Sequence, residues 1–219
     1  MLDILSNFDR EKNYFRDPFP HIIIDSPIDE KNYNLLSNEY NEFEKYFHKL
    51  DDFKKNNIRL QFSDTEFKKL NFSTPIWEKF INIHTSMEFY KKLVNIFFDD
   101  FKILYPDLIN DLFSIISNKS GYENSKDIKL LCQPGINTPV FNENTSNRGP
   151  HIDKPNSLIA GLFYLRKDND KSKGGDFILN KKKGKISFVP KAEVREVDNI
   201  IPGKKVDYTK NKVVFFINS

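Results

Sequence analysis

The chain has 219 residues and carries 34 Lys and Arg against 31 Asp and Glu, a net charge of +3, which gives no electrostatic case for a nucleic-acid partner. Hydrophobic residues reach only 38%, yet 21 Phe and 9 Tyr lift the aromatic share to 14%; this excludes a disordered chain and implies a core of bulky side chains. Cys132 alone closes no internal disulfide, the four His and one Cys build no Cys-rich zinc cluster, and neither a signal peptide nor an apolar run near ~20 residues is present, so the expectation is a cytoplasmic protein with no membrane partner.

Residues 1–117 read mostly as helices. Residues 18–25 form a short β-branched run, a strand. Ser26 is the expected cap of the next helix, with Pro27 at its first position and Asp29 three residues after the cap. Leu36, Tyr40, Phe43 and Phe47 then recur at helical spacing. Ile58, Leu60 and Phe62 alternate, which predicts a strand. Thr74 and Pro75 open a helix containing Trp77, and Thr85 with Glu88 resembles a capping box for one carrying Phe89, Leu93, Phe97 and Phe101. Pro106 separates that helix from 107–117.

The pattern changes near residue 118. Residues 128–132 read as a strand and 142–147 as a polar loop. The continuous apolar run 157–165 suits a sheet buried on both faces. A charged turn follows at 167–173, then short strands at 176–179, 186–189 and 213–217. Lys181, Lys182, Lys183 and Lys185 read as a solvated hairpin. Helices first and strands afterwards is an α+β pattern. The organisation expected is one domain over 1–219, with helical support in 1–117 and a sheet core in 118–219.

The segment from Arg148 through Gly149, Pro150, His151, Ile152, Asp153, Lys154 and Pro155 to Asn156 carries the chemistry. On a strand, residues i and i+2 project to one face, so His151 and Asp153 aim an imidazole nitrogen and a carboxylate oxygen at one point. Two such ligands and one more His form the facial triad that holds Fe(II) with three positions open. By itself H-x-D describes a strand-end His paired with a neighbouring Asp more readily than a metal site.

The order of features from Leu131 to Leu179 resembles the prolyl-hydroxylase-like branch of the Fe(II)/2-oxoglutarate-dependent oxygenases. His151-Ile152-Asp153 is followed by the Lys154-Pro155-Asn156 turn, an apolar strand ending in Tyr164-Leu165, a charged loop, and Gly174-Gly175 opening another strand. Cys132-Gln133-Pro134-Gly135 takes the place of the turn leading into the metal strand, and the strand entry at 18–24 is similar too. The resemblance implies a double-stranded β-helix (jelly-roll) core with N-terminal supporting helices. It implies decarboxylation of 2-oxoglutarate with O2, giving succinate and CO2, coupled to hydroxylation of a C–H bond in a prolyl residue, an amino acid or a small metabolite. His151 and Asp153 would be the iron ligands, and Tyr164 and Gln133 would contact 2-oxoglutarate. Ascorbate would support turnover, and Arg148 and Asn137 would lie near the cleft mouth.

Two departures accompany the resemblance. The family takes its third ligand, a His, and a cosubstrate-anchoring Arg or Lys from later strands, and no His follows His151. His48 and His84 read as structural groups in or near helices, and His21 as one in an outer strand. The expectation is a core about two C-terminal strands short, with weak iron binding and little turnover. The alternative is a non-enzymatic jelly-roll ligand-binding module or degenerate relative. A cupin-type enzyme is weaker still, since the cupin His pattern is absent.

Overall fold

A computed structural model describes residues 1–62, 74–113, 128–141, 149–153, 157–182 and 200–218, together with Glu66, Lys69, Val194 and Arg195. In chain order the elements are α1 (Arg10–Asn13), β1 (Tyr14–Phe15), β2 (His21–Asp25), α2 (Glu30–Phe47), β3 (Arg59–Gln61), α3 (Pro75–His84), α4 (Met87–Ile96), α5 (Phe98–Leu104), β4 (Gly135–Asn137), β5 (His151–Ile152), β6 (Ile159–Tyr164), β7 (Phe177–Lys182), β8 (Val194–Arg195), β9 (Ile200–Val206) and β10 (Lys212–Ile217). They fall into two compact units, one of residues 1–3 and 30–147, the other of 4–29 and 148–219. This division departs from a boundary at 118. Residues 4–29 join the strand-rich unit because their β-branched run supplies a sheet strand, and β4 stays with the helices because its partner is β3.

In the helical unit, α2 buries Tyr33, Leu36, Tyr40, Phe43 and Phe47 along one stripe, each full burial contributing about 1.5–3 kcal/mol. The Trp77 indole of α3 donates to the Leu36 carbonyl at 3.1 Å, joining the two helices. Thr74 precedes α3 with its hydroxyl on Glu39 rather than on the helix backbone. Two caps differ from expectation. The helix expected from Ser26 begins at Glu30, since Ser26 has φ +51° and its N–H bonds to the Asn211 carbonyl. Ser86, not Thr85, caps α4: its Oγ accepts from Phe89 N, while Thr85 Oγ1 bonds back to Ile81 O. Phe89, Leu93, Phe97 and Phe101 are all buried as their spacing predicts, with a break at Phe97 between α4 and α5.

The strand expected at 128–132 is not formed: 129–134 has no regular structure, and the ladder to β3 is made by β4, pairing Leu60 with Ile136. A strand exists only where a partner completes its hydrogen bonds. Thr138 ends this ladder, its hydroxyl accepting from Ile58 N and donating to Lys55 O.

In the strand-rich unit the order is β1-β2-β10-β6, every pairing antiparallel. One face, with Ile23, Leu162, Val214 and Phe216, packs on Phe19, Phe177, Leu179 and Val206, so this sheet lies face to face with the antiparallel β7–β9 pair. Ile22, Ile24, Val213 and Ile217 of the opposite face are also buried, which accounts for the unbroken apolar runs of β2 and β10. The run 157–165 is only half-buried, because β6 is the end strand of this order. A Cβ at Gly161 would run into the Phe215 ring, which lies across it. β9 was not expected, since Pro202, Gly203 and the lysines after them interrupt its apolar pattern.

The expectations for 142–147 and 186–189, and for Lys183 and Lys185, lie outside the described residues; Lys181 and Lys182 belong to β7. The architecture is a mixed α and β fold with antiparallel sheets, and among the described residues these sheets are open rather than closed into a barrel. Among the described residues no helix is long and apolar enough to cross a membrane.

Candidate metal site

β5 is two residues long and pairs with β8, His151 opposite Arg195 and Ile152 opposite Val194. The extended backbone turns His151 and Asp153 to the same side, as the i, i+2 spacing predicts: His151 Nε2 lies 3.5 Å from Asp153 Oδ1, with the side chains 23% and 30% exposed. His151 Nδ1 lies 2.8 Å from the Gly149 carbonyl oxygen. A carbonyl only accepts, so Nδ1 holds a proton. In the neutral ring Nε2 then carries a lone pair, and two electron-rich atoms face each other. A cation between them, whether a proton or a metal ion, resolves that arrangement. The backbone partner on Nδ1 also fixes ring orientation and tautomer, as the outer partners of metal-ligating histidines do.

Asn218, immediately after β10 and 5% exposed, reaches the same segment. Its amide nitrogen donates to the carbonyls of Ser157 at 3.1 Å and Asp153 at 3.4 Å. Sequence reasoning missed Asn218; a single amide after an apolar run carries no local signal.

Tyr164 ends β6, half-buried in the apolar cluster, with its ring edge-on to Tyr208 at 5.1 Å. Gln133 is exposed and belongs, with Asn137 of β4, to the helical unit. Arg148 lies outside the described residues. The loop after Tyr164 is held by Arg166, whose guanidinium donates to the carbonyls of Tyr208, Asp170 and Ser172 and stacks over the Tyr208 ring at 4.9 Å.

Of the remaining histidines, His21 and His84 are built into apolar packing and His48 is exposed. His21 is fully buried, bonded through Nδ1 to Phe19 O and stacked on Phe15, with no partner for Nε2 among the described residues. Its strand is not an outer one: β2 is flanked by β1 and β10. His84 is buried between Phe80 and Phe89, and His48 packs on Phe53. Burial lowers the His21 pKa and brings that of His84 down to about 4. Among the described residues no three His, Cys, Asp or Glu gather as a metal-ligand set.

Comparisons with family models, with curated proteins and with solved structures find no match to this chain.

Proposed function

We propose that the strand-rich unit is a jelly-roll core of the prolyl-hydroxylase-like kind, and that His151 and Asp153 hold Fe(II) there for 2-oxoglutarate-dependent hydroxylation of a C–H bond. The observation that carries this reading is the committed Nδ1 of His151, which leaves Nε2 as a lone pair beside the Asp153 carboxylate. Ligands about 2.1 Å from one ion stand roughly 3 Å apart at neighbouring coordination positions, and the 3.5 Å between these two atoms is close to that. The packing of the four-stranded sheet on the β7–β9 pair supports the jelly-roll assignment.

When bound, iron(II) supplies the activation of O2 that couples loss of CO2 from 2-oxoglutarate to hydroxylation. The chain's own residues do the rest. His151 presents a neutral ring nitrogen held by Gly149, and Asp153 contributes the negative charge. By the same resemblance the Tyr164 phenol, in the same unit as the pair, would donate a hydrogen bond to the cosubstrate, with ascorbate supporting turnover. The substrate is a prolyl residue, an amino acid or a small metabolite met in the cytoplasm.

A second reading is a ligand-binding module without turnover, in which the His151–Asp153 pair holds a cation but drives no oxidation. One experiment separates the two. Fe(II) binding is measured anaerobically, then succinate is followed with 2-oxoglutarate, O2 and ascorbate, for the wild type and His151→Ala. Succinate above the His151→Ala background supports the oxygenase. Binding that depends on His151 but yields no succinate supports the module, and binding indifferent to His151 removes both.

A further inference from the structure

We infer that Asn218 is a positioning residue for the Asp153 carboxylate, an inference that rests on the metal reading of the His151–Asp153 pair. The β5–β8 ladder ends at Ile152, so the residue carrying the carboxylate lies just past the strand that orients His151. Asn218 bonds the main chain of that residue. Its backbone N–H donates to Leu158 O at 3.1 Å, tying it to the chain entering β6. Its side-chain nitrogen then bonds the carbonyls of Ser157 and Asp153. Both partners are acceptors, so the nitrogen end of the amide must face them. A carboxylate of the same shape would set negative charge against two carbonyl oxygens. The buried amide therefore joins Asp153 to the central strand β10, so that the carboxylate need not be ordered anew when a cation arrives. Asn218 bonds the main chain of the ligand residue and not its carboxylate, so its effect belongs at the low end of the roughly 10–100-fold that outer partners of ligating groups contribute to metal affinity.

Co(II) titration followed by absorbance, on folded proteins, tests the assignment. Asn218→Ala and the isosteric Asn218→Asp should each weaken Co(II) binding about 10-fold relative to wild type. Asn211→Ala, which removes a buried amide away from the pair, should lower the melting temperature and leave Co(II) affinity unchanged. Wild-type affinity in both Asn218 variants overturns the inference, as does an equal loss in Asn211→Ala, which would mark a general effect of instability. Should Asn218→Ala not fold, Asn218→Asp and Asn218→Ser carry the same comparison. The metal reading fails separately, in proteins with Asn218 intact: wild type and His151→Ala would bind Co(II) alike or not at all, and this inference would fall with it.

Discussion

Asn211 and Ile28, 183 positions apart, exchange two hydrogen bonds: the Asn211 amide donates to Ile28 O at 2.7 Å and accepts from Ile28 N at 3.4 Å. The side chain thus imitates a strand partner. Asn211 itself has φ +52°, a conformation Asn tolerates better than most residues, and its carbonyl accepts from Ser26 N. One residue sets both the turn into β10 and the path of the chain leaving β2.

Two substitutions separate these roles. Asn211→Gly keeps the backbone conformation, loses both side-chain bonds, and is expected to destabilise by about 1–3 kcal/mol. Asn211→Ala adds the left-handed backbone cost of about 1–2 kcal/mol. Urea unfolding measures both, and equal effects of Gly and Ala would refute the conformational part.

His84 makes stability depend on pH. Its folded pKa is about 4 against the usual 6.5, with burial as the leading cause. Below pH 6.5 the unfolded chain binds a proton that the folded one refuses, so stability is undiminished above 6.5 and falls as pH drops toward 4. The full effect is roughly 3 kcal/mol. His21, also lowered by burial, acts in the same direction. Unfolding curves between pH 7 and 4 for wild type and His84→Gln check this; the same slope in both would exclude His84 as its source.

Trp77 joins α3 to α2 through packing and one hydrogen bond. Trp77→Phe keeps most of the packing and leaves Leu36 O without its indole donor, a loss of about 1 kcal/mol. Trp77→Ala is expected to cost about 3–5 kcal/mol. Denaturation followed by circular dichroism, which does not need the indole as a reporter, gives both values. An Ala variant as stable as the Phe variant would mean the site collapses around the lost ring.

Arg166 gathers three carbonyls on one planar donor fork. A lysine keeps the charge but not the fork, so Arg166→Lys should speed amide hydrogen exchange across 167–176 while leaving β6 and β10 protected. Unchanged exchange in the loop would show that Asp170 and Asp176 hold it unaided, through their own bonds to Ser172 N and Tyr208 N.

Legibility of the fold followed the range of the interactions. The stripe Leu36, Tyr40, Phe43 and Phe47 and the run Phe89, Leu93, Phe97 and Phe101 could be read because helix periodicity lies within a few turns of chain. The i, i+2 projection of His151 and Asp153 is equally local. Ser26 could not be read, because its left-handed backbone and its bond to Asn211, 185 positions away in sequence, leave no mark on its neighbours. The strand at 128–132 failed because nothing in its own residues says that β3 pairs with 135–137 instead. Asn218 was invisible for the same reason: its role exists only once β10 lies beside the segment that carries Asp153.

The ladder between β2 and β10 joins residues 21–25 to 212–216, while the whole helical stretch 30–147 lies between them in sequence. Closing so long a loop costs entropy before any pair of that ladder forms. The β2–β10 pairing is thus expected to form late, and during synthesis Ile22, Ile23 and Ile24 have to wait for β10 to leave the ribosome. Until then this apolar run lacks its β10 partner, and unpaired apolar strands of that kind are prone to aggregate.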